Sequence, residues 1–491
     1  MSSVAYARAG TREWRAQWSE LGLILAALLF AGGAFAQLAL VERGEVAVAY
    51  VRPWVALAVL ALAGWGVLTW RVPVRDPLLF PITVLLCGWG LVEVARLQDG
   101  FLVRQTVWVG AGVVALLLIA AVPYRWYWLS RYRYLWLFSG LGLLGLTIIW
   151  GVNPLGVGDR LWLSLGQMLY FQPSELLKVL LVIFMASYLA EKRELLVMTR
   201  TRIGPLRLPP LPYLAPLLLM WGFSLVLLVW QQDLGAALLF FSTFLSMLYV
   251  TTGRRPYVAV GLGMFVLAAF AGYLVYDRIQ VRGAIWLDPW SDPRGNAYQI
   301  VQSLLAFASG GLFGTGVGLG HPTPYIPVVH TDFVMAAIGE EWGMIGALGL
   351  ILALLVLVAR GLRVAMRARS AFVSLLAVGL SAMLGWQSLI IAGGTLKLIP
   401  LTGVTLPLVS YGGSSMLVSC AMIGLLLRAS SAVRPGLSAE APTSPYGDLR
   451  PALPRGPPQG RAGPHPDPPP WQSHKGGKAP TLTASRPGYQ R

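Results

Sequence analysis

The chain has 491 residues, of which 56% are hydrophobic and only 12% are charged, and its mean hydropathy is +0.65. A domain of this size with that composition would not stay dissolved in water, so a soluble fold is excluded and lipid is the expected solvent. The net charge of +17 then indicates basic loops and tails of a membrane protein, and we expect no nucleic-acid partner. Cys87 and Cys420 lie in apolar runs without metal-ligand spacing, which argues against disulfide and zinc frameworks.

Apolar runs predict about twelve transmembrane helices, because about 20 apolar residues are needed to cross the hydrocarbon of a bilayer. The first run is too long for a cleaved signal and lacks a small-residue cleavage site, so it is interpreted as a span. The predicted fold class is an all-α polytopic membrane protein with a long outer loop between helices 9 and 10 and a disordered C-terminal tail. The predicted spans are 21–41, 54–70, 77–97, 105–123, 133–151, 173–190, 212–230, 234–251, 257–276, 333–358, 372–396 and 409–428.

Every second connection between these spans is basic, and this alternation predicts the orientation of the chain. Lys and Arg are retained in cytoplasmic loops, so we expect a multi-pass protein of the cytoplasmic (inner) membrane with both termini cytoplasmic. Residues 1–20 form the predicted N-terminal segment, 21–430 the transmembrane domain, and 276–332 its long extracytoplasmic loop. Residues 431–491 are rich in Pro and Gly, which predicts a disordered basic tail. That tail is either simply solvated or in contact with anionic membrane lipids.

The first polar candidates lie in an outer connection that ends in QPSELLK. Pro173 suits a first helical turn and Glu175 favours the positive helix end, so capping explains Gln172 and Ser174 as well as a function does. Lys178 shares a helix face with Glu175, and an internal ion pair is the simpler interpretation. Lys178 nevertheless lies one turn into an apolar helix, where an ionisable group tends to face a cavity or a partner.

Two further outer connections differ greatly in length. Asp233 follows a turn that can only reverse the chain, and the favoured interpretation is that it accepts backbone N–H bonds as a helix cap. The segment 277–332 is much longer, and loops of this length in compact proteins are usually functional. Within it we expect an amphipathic helix on the outer leaflet at Ile300 to Ala308 and a glycine turn at Gly310 to Gly320. A short helix followed by such a turn suits a lid over a cleft.

Three carboxylates follow at the end of this segment. Asp332 is predicted at the mouth of an apolar helix, with Glu340 and Glu341 two turns deeper. Acids within a membrane are functional candidates by default, which favours a functional role for Asp332. Glu340 and Glu341 are equally well explained as structural partners of a buried Arg or Lys.

The last outer connection runs from Lys397 to Ser415 and is interrupted by Pro and Gly. Backbone that is not helical must be satisfied by protein or water at this depth, so the connection should line a cavity. Lys397 either extends outward to the membrane surface or meets an anion in that cavity.

Five motifs follow one another along the outer connections: QPSELLK at 172–178, QQDLG at 231–235, DPWSDPRGNAYQIVQSLLAFASGGLFGTGVGLG at 288–320, HTDF at 330–333 and LTGVTLPLVSYGGSS at 401–415. Together these motifs resemble the SEDS family of FtsW/RodA-like proteins. The similarity runs in order from about Asp76 to Arg428, and the combination is highly specific although each motif alone is not. Familiar members have about ten spans, so the two extra spans at 21–70 indicate a divergent branch.

The resemblance implies a peptidoglycan glycosyltransferase that polymerises lipid II into glycan strands on the outer face of the membrane, for cell elongation or division. It implies that Asp332 is catalytic, acting as a general base while undecaprenyl pyrophosphate leaves. A class B penicillin-binding transpeptidase is the implied partner. Lys and Arg side chains or a divalent cation, Mg or Mn, are expected to stabilise the leaving group. The candidate substrate-binding residues are Arg160, Trp162, Gln172, Glu175, Lys178, Asp233, Arg278, Arg282, His330, Lys397, Ser410 and Ser414.

The sequence departs from the family's pattern at several positions, which concern peripheral substrate contacts and not Asp332. These departures leave an elongation-type and a division-type member open. Two other functions also remain open, a flippase or transporter for a lipid-linked precursor and a non-catalytic scaffold for a transpeptidase. The departures are Gln232 in place of Pro, Leu161 within an Arg-Arg-Trp pattern, Val328-Val329 in place of Pro-Glu, and Ile391 in place of Asn.

Overall fold

The structure is a computed structural model, and it describes residues 2–45, 47–123, 126–153, 161–165, 169–198, 201–203, 206–208, 222 and 233–432. Two short antiparallel strand pairs accompany the helices: β1 (Leu163–Leu165) with β2 (Leu169–Phe171), and β3 (Thr201–Ile203) with β4 (Leu206–Leu208). The helices are α1 (Ser2–Arg43), α2 (Val48–Arg71), α3 (Leu79–Leu97), α4 (Leu102–Ala121), α5 (Trp126–Arg131), α6 (Arg133–Trp150), α7 (Pro173–Met198), α8 (Leu234–Thr252), α9 (Arg255–Val275), α10 (Asp277–Leu287), α11 (Tyr298–Gly310), α12 (Pro322–Tyr325), α13 (Val329–Asp332), α14 (Val334–Glu341), α15 (Gly343–Arg367), α16 (Ala371–Thr395) and α17 (Gly413–Ser431).

Eleven helices in the described part of the chain are long and apolar enough to cross a membrane. They are α1 from Ala16 onward, α2, α3, α4 with the turn before it, α6 to α9, and α15 to α17. The predicted all-α polytopic fold is therefore confirmed. Of the predicted span 212–230 the structure describes only residue 222, and residues 433–491 of the predicted tail lie outside the described residues.

Residues at the helix termini determine where several helices begin and end. α7 begins at Pro173, whose missing N–H is harmless in a first turn. α8 follows Asp233, whose carboxylate accepts the N–H of Ala236 at 3.0 Å. The same helix ends at Gly253, where a φ of +66° lets the glycine N–H donate to the carbonyl of Tyr249 at 2.7 Å.

The predicted span at 333–358 differs from the structure, which divides it into α14 and α15 at Trp342. Gly343 has a φ of +68°, and a Cβ there would lie 2.3 Å from the backbone nitrogen of Gly314. This close approach of a distant part of the backbone ends one helix and starts another within the apolar run. Hydropathy does not indicate such a contact. Asp332 lies in the separate helix α13, so Asp332, Glu340 and Glu341 do not share one continuous helix.

The centre of the bundle is formed by α3 and α7, which bury 83% and 89% of their most apolar 18 residues. α16 packs beside α7, and α4 lies along α17. The two additional spans, α1 and α2, form an N-terminal helical hairpin that packs on α3 and α4. At one end of this hairpin Arg75 and Glu20 form a buried ion pair at 2.5 Å. The hairpin is therefore an integral part of the bundle.

Candidate active site

The connections between several spans meet at one end of the bundle. The backbone N–H of Gln172, just before α7, donates to Ser414 Oγ at 2.9 Å. Ser410 Oγ donates to the carbonyl of Thr331, next to Asp332, at 2.6 Å. The first turn of α17 and the connection before it therefore join the start of α7 to helix α13. We call this meeting point of distant motifs the Asp332 site.

Lys178 is held inside the bundle by an ion pair and an amide. Its Nζ donates to Glu175 Oε2 at 2.7 Å and to Gln387 Oε1 at 3.1 Å, and its side chain is only 2% exposed. Gln387 in turn donates to the carbonyl of Thr405 at 2.8 Å. The predicted internal ion pair is thus present, and it ties α7 to α16. Gln387 was not predicted, although an amide within the apolar run 372–396 was a usable signal.

Asp233 caps α8, as the sequence predicts, and also takes part in the site. One carboxylate oxygen accepts the Ala236 N–H at 3.0 Å, and the other lies 3.5 Å from Ser174 Oγ. Burial raises the pKa of Asp233, while the positive charge of Lys178 lowers it. Asp233 therefore both caps α8 and contacts Ser174 at the start of α7.

Asp332 ends helix α13 and remains partly exposed. Burial raises its pKa from 3.8 to about 6, against the lowering effects of a hydrogen bond with Thr331 and of the charge of Arg282. At neutral pH this carboxylate is mostly ionised, yet it is a stronger base than an exposed aspartate. A Cβ at Gly403, where φ is +74°, would lie 3.5 Å from Asp332 Oδ2, so the turn before α17 closes one side. These properties suit a general base.

A basic cavity of about 320 Å³ opens between α10, α11 and the connection after α16. The cationic side chains in its wall are Arg278, Arg282 and Lys397. Trp286 also lines it, and its Nε1 donates to the carbonyl of Lys397 at 3.2 Å. Leu401 also lines this cavity, and two residues further on a Cβ at Gly403 would lie 3.5 Å from Asp332 Oδ2, so one connection borders both the cavity and the carboxylate. The charge of Arg282, in the cavity wall, also lowers the pKa of Asp332. The position of Lys397 favours its interpretation as an anion-binding residue.

His330 lies in an aromatic cluster at the edge of the Asp332 site. Its ring centroid is 5.3 Å from that of Phe101 and 5.5 Å from that of Tyr411, and these two rings stack at 4.7 Å. The N–H of Tyr411 donates to the His330 carbonyl at 2.9 Å. Burial lowers the pKa of His330, which favours the neutral imidazole. Phe101 was not predicted, because a single aromatic residue beside a span carries no distinctive signal.

The carboxylates of Glu340 and Glu341 hold the glycine turn, which we define as Gly310–Gly320, and the residue after it. Glu341 pairs with Arg96 at 2.8 Å and accepts the Gly318 N–H at 2.9 Å. Glu340 accepts the N–H of His321 at 2.8 Å. Glu341 thus has the Arg partner that the structural alternative expects, whereas the hydrogen bond of Glu340 is with a backbone N–H. Arg96 was not predicted, because an arginine in the last turn of a span is usual.

Three further predictions concern Arg160, Trp162 and the helix at Ile300 to Ala308. Arg160 lies outside the described residues. Trp162 exchanges two backbone hydrogen bonds with Val152, at 2.8 and 3.3 Å. The predicted helix at Ile300 to Ala308 is present as α11, and Ser303 on its buried face donates to the carbonyl of Thr395 at 3.0 Å.

In the described part of the chain, no group of three or more His, Cys, Asp or Glu side chains is placed to hold a metal ion. These side chains do not form a metal site from protein ligands alone. The expected divalent cation, Mg or Mn, stays a prediction.

These features define a polytopic helical membrane protein in which a desolvated aspartate adjoins a cavity lined by cationic side chains. The chain belongs to the FTSW_RODA_SPOVE family of cell cycle proteins, whose sequence profile matches residues 82–434. The predicted family is therefore confirmed, and the N-terminal hairpin α1–α2 lies outside the matched region.

Several proteins of known name are similar to this chain. Peptidoglycan glycosyltransferase RodA of Mycobacterium tuberculosis (strain ATCC 25618 / H37Rv) is 38% identical over 394 residues, which cover 77% of this chain and 83% of the relative. Stage V sporulation protein E of Bacillus subtilis (strain 168) is 35% identical over 368 residues, covering 72% and 96%. The probable peptidoglycan glycosyltransferase FtsW of Geobacter metallireducens (strain ATCC 53774 / DSM 7210 / GS-15) is 33% identical over 361 residues, covering 72% and 92%.

Two solved structures share the fold. One, described as showing structural coordination of polymerization and crosslinking by a peptidoglycan synthase complex, matches with a TM-score of 0.60 and 29% identity over 72% of this chain and 97% of that chain. The other is the rod shape determining protein RodA of Thermus thermophilus, with a TM-score of 0.53 and 28% identity over 72% of this chain and 96% of that chain.

Proposed function

We propose that this protein is a peptidoglycan glycosyltransferase that polymerises lipid II into glycan strands, with Asp332 as the general base. The observation that carries the proposal is that the connection from Leu401 to Gly403 borders both the basic cavity and the Asp332 carboxylate. The charge of Arg282, in the cavity wall, also acts on that carboxylate. A proton acceptor therefore adjoins a place for an anion. Transfer of a sugar from a lipid diphosphate requires both. The similarity to named peptidoglycan glycosyltransferases supports the same reaction.

In the proposed reaction a hydroxyl of the acceptor sugar attacks the anomeric carbon of the donor sugar. The hydroxyl proton passes to Asp332 as the glycosidic bond forms, and the bond between the anomeric carbon and the undecaprenyl diphosphate oxygen breaks. Arg278, Arg282 and Lys397 stabilise the negative charge of the departing diphosphate. Because the pKa of Asp332 is about 6, the proton then leaves readily to solvent at neutral pH. A divalent cation, Mg or Mn, would supply additional Lewis acidity at the diphosphate when bound.

We also propose where the reaction takes place and with which partner. Basic connections alternate along the chain with the connections that build the Asp332 site, which supports cytoplasmic termini and an extracytoplasmic site in the cytoplasmic membrane. A class B penicillin-binding transpeptidase is the proposed partner. It is supported by the similarity to a peptidoglycan synthase complex that coordinates polymerization and crosslinking.

The test is a polymerisation assay with the purified full-length protein and lipid II. We expect glycan polymer from the wild type and none above background from the variant Asp332→Asn. The matched control is Asp277→Asn, which removes the same charge from an exposed position at the start of α10 and should keep wild-type activity. Parallel reactions with and without chelator test whether a divalent cation contributes.

Other outcomes of this assay would overturn the proposal. Polymer at the wild-type level from Asp332→Asn would exclude Asp332 as the base. Movement of lipid II across a vesicle membrane by the wild type, without polymer, would indicate a flippase. If polymer forms only with a transpeptidase present, and equally with wild type and Asp332→Asn, the protein is a scaffold.

A further inference from the structure

The N-terminal hairpin lies outside the region matched by the family profile, residues 82–434, yet it contacts the segment that leads to Asp332. Gly318, in the glycine turn, packs directly on the end of α1. A Cβ at this position would lie 3.2 Å from the side chains of Leu38 and Val41. The φ of Gly318 is +85°, a backbone conformation that favours glycine, and a Cβ would also press closely on these two side chains.

Arg96, in the last turn of α3, connects the hairpin to this turn by charge as well. Its Nε donates to Glu341 Oε1 at 2.8 Å, and its Nη2 donates to the carbonyl of Gly320 at 2.6 Å. Its Nη1 lies 3.6 Å from Glu42 Oε1 near the end of α1. The hydroxyl of Tyr50, at the start of α2, donates to the other oxygen of Glu42. One guanidinium group therefore binds the hairpin, the glycine turn and α14 together.

α14 provides a rigid link from this network to Asp332. Glu341 is its last residue, and the helix begins at Val334, two residues after Asp332. All eight residues of α14 are buried, and a helix of this length spans about 12 Å. The N–H groups of Thr315 and Gly316 donate to the carbonyls of Glu340 and Glu341, at 2.9 and 3.0 Å. Movement of the glycine turn would therefore move one end of a short packed helix whose other end adjoins Asp332.

We propose that Glu42 and Tyr50 are positioning residues of the glycosyl transfer reaction. They orient Arg96, which fixes the glycine turn and α14, and thereby set the position of Asp332. The proposal rests on the proposed function of Asp332 as the base. Glu42 lies in the hairpin, outside the basic cavity and the Asp332 site, so it acts on placement of the base and not on substrate affinity.

The experiment uses the full-length variants Glu42→Gln and Tyr50→Phe. Small displacements of a catalytic group reduce turnover steeply, so we expect kcat to fall about threefold to tenfold while KM for lipid II is unchanged. Hydrogen–deuterium exchange in residues 310–320 should rise in both variants. Because the two residues act on the same guanidinium, the double variant should lose no more activity than the more affected single variant.

The matched control is Glu45→Gln, which removes the same charge from an exposed residue just beyond α1. It should leave kcat and exchange unchanged. The proposal is overturned if Glu42→Gln keeps wild-type kcat and exchange, or if its loss of kcat merely follows a loss of folded protein in thermal unfolding. If the wild type makes no polymer, the proposed function fails, whereas the exchange measurement still decides whether the hairpin holds the turn.

Discussion

Two pairs of opposite charges near one end of the bundle have different surroundings. Lys178 bonds both Glu175 and Gln387, and its side chain is 2% exposed. Asp332 is partly exposed, and the nearby Arg282 lines a cavity. The first pair, Lys178 with Glu175, is closed inside the bundle, whereas the second, Asp332 with Arg282, is open because Arg282 borders a cavity. A closed pair stabilises the contact between helices, whereas an open pair can take up a proton and an anion.

The largest expected effect comes from the open pair. Asp332→Asn removes the proton acceptor and keeps the shape of the side chain, so kcat should fall by about 10²- to 10⁴-fold. Thermal unfolding and lipid II binding should stay close to those of the wild type. Steady-state turnover with lipid II measures the first effect. If Asp332→Asn loses activity only because it unfolds, Asp332 has a structural role instead of a catalytic one.

Variants of the closed pair, Lys178 and Glu175, should change the stability of the protein. Lys178→Met leaves the carboxylate of Glu175 buried without its cation, which costs about 3–5 kcal/mol in the free energy of unfolding. The double variant Lys178→Met/Glu175→Gln removes both charges and should recover much of this loss. Denaturant unfolding in detergent measures both variants. Unchanged stability in the single variant would show that the pair does not stabilise the bundle.

A smaller effect on activity is expected for substitution of Arg282, which lines the cavity and acts electrostatically on Asp332. Arg282 lowers the pKa of Asp332, so Arg282→Gln should raise that pKa above its value of about 6. The base works in its ionised form, so activity falls as pH decreases through the pKa, and this acid limb should shift to higher pH in the variant. Weaker stabilisation of the diphosphate should also lower kcat about tenfold at pH 8.

The control for Arg282 is Arg294→Gln, an exposed position in the same segment. It should leave the pH profile of kcat in place. An acid limb that does not move in Arg282→Gln would mean that Arg282 has no electrostatic effect on the catalytic carboxylate.

Local patterns in the sequence were sufficient for the features that depend on neighbouring residues. Hydropathy located the spans, and the position of Asp233 after a tight turn indicated its capping role. The break at Gly343 was missed because it depends on a contact with Gly314, which is distant in sequence. Hydropathy reports the polarity of a segment and not what packs against it.

In the candidate site as well, local features were predicted from the sequence, whereas features that depend on distant contacts were not. The acid at position 332 was predicted from its placement and its motif, whereas the choice among cations required the structure. Arg282 could be distinguished only because the structure shows that it lines the cavity and that its charge acts on Asp332. Gln387 and Arg96 each act through a residue that is distant in sequence, Lys178 and Glu341 respectively. A single sequence does not indicate such pairings.

The smallest predicted effect concerns Gly403, whose turn lies beside Asp332 of the open pair. Gly403 has a φ of +74°, so Gly403→Ala should cost about 1 kcal/mol in stability because the left-handed conformation disfavours a side chain. The new Cβ would lie 3.5 Å from Asp332 Oδ2, which is ordinary contact, so kcat should fall only a few-fold. Gly412→Ala is the control in the same connection, because its φ of 165° is extended backbone that alanine also adopts. If both variants behave alike, the conformation of the turn at Gly403 does not determine the surroundings of the base.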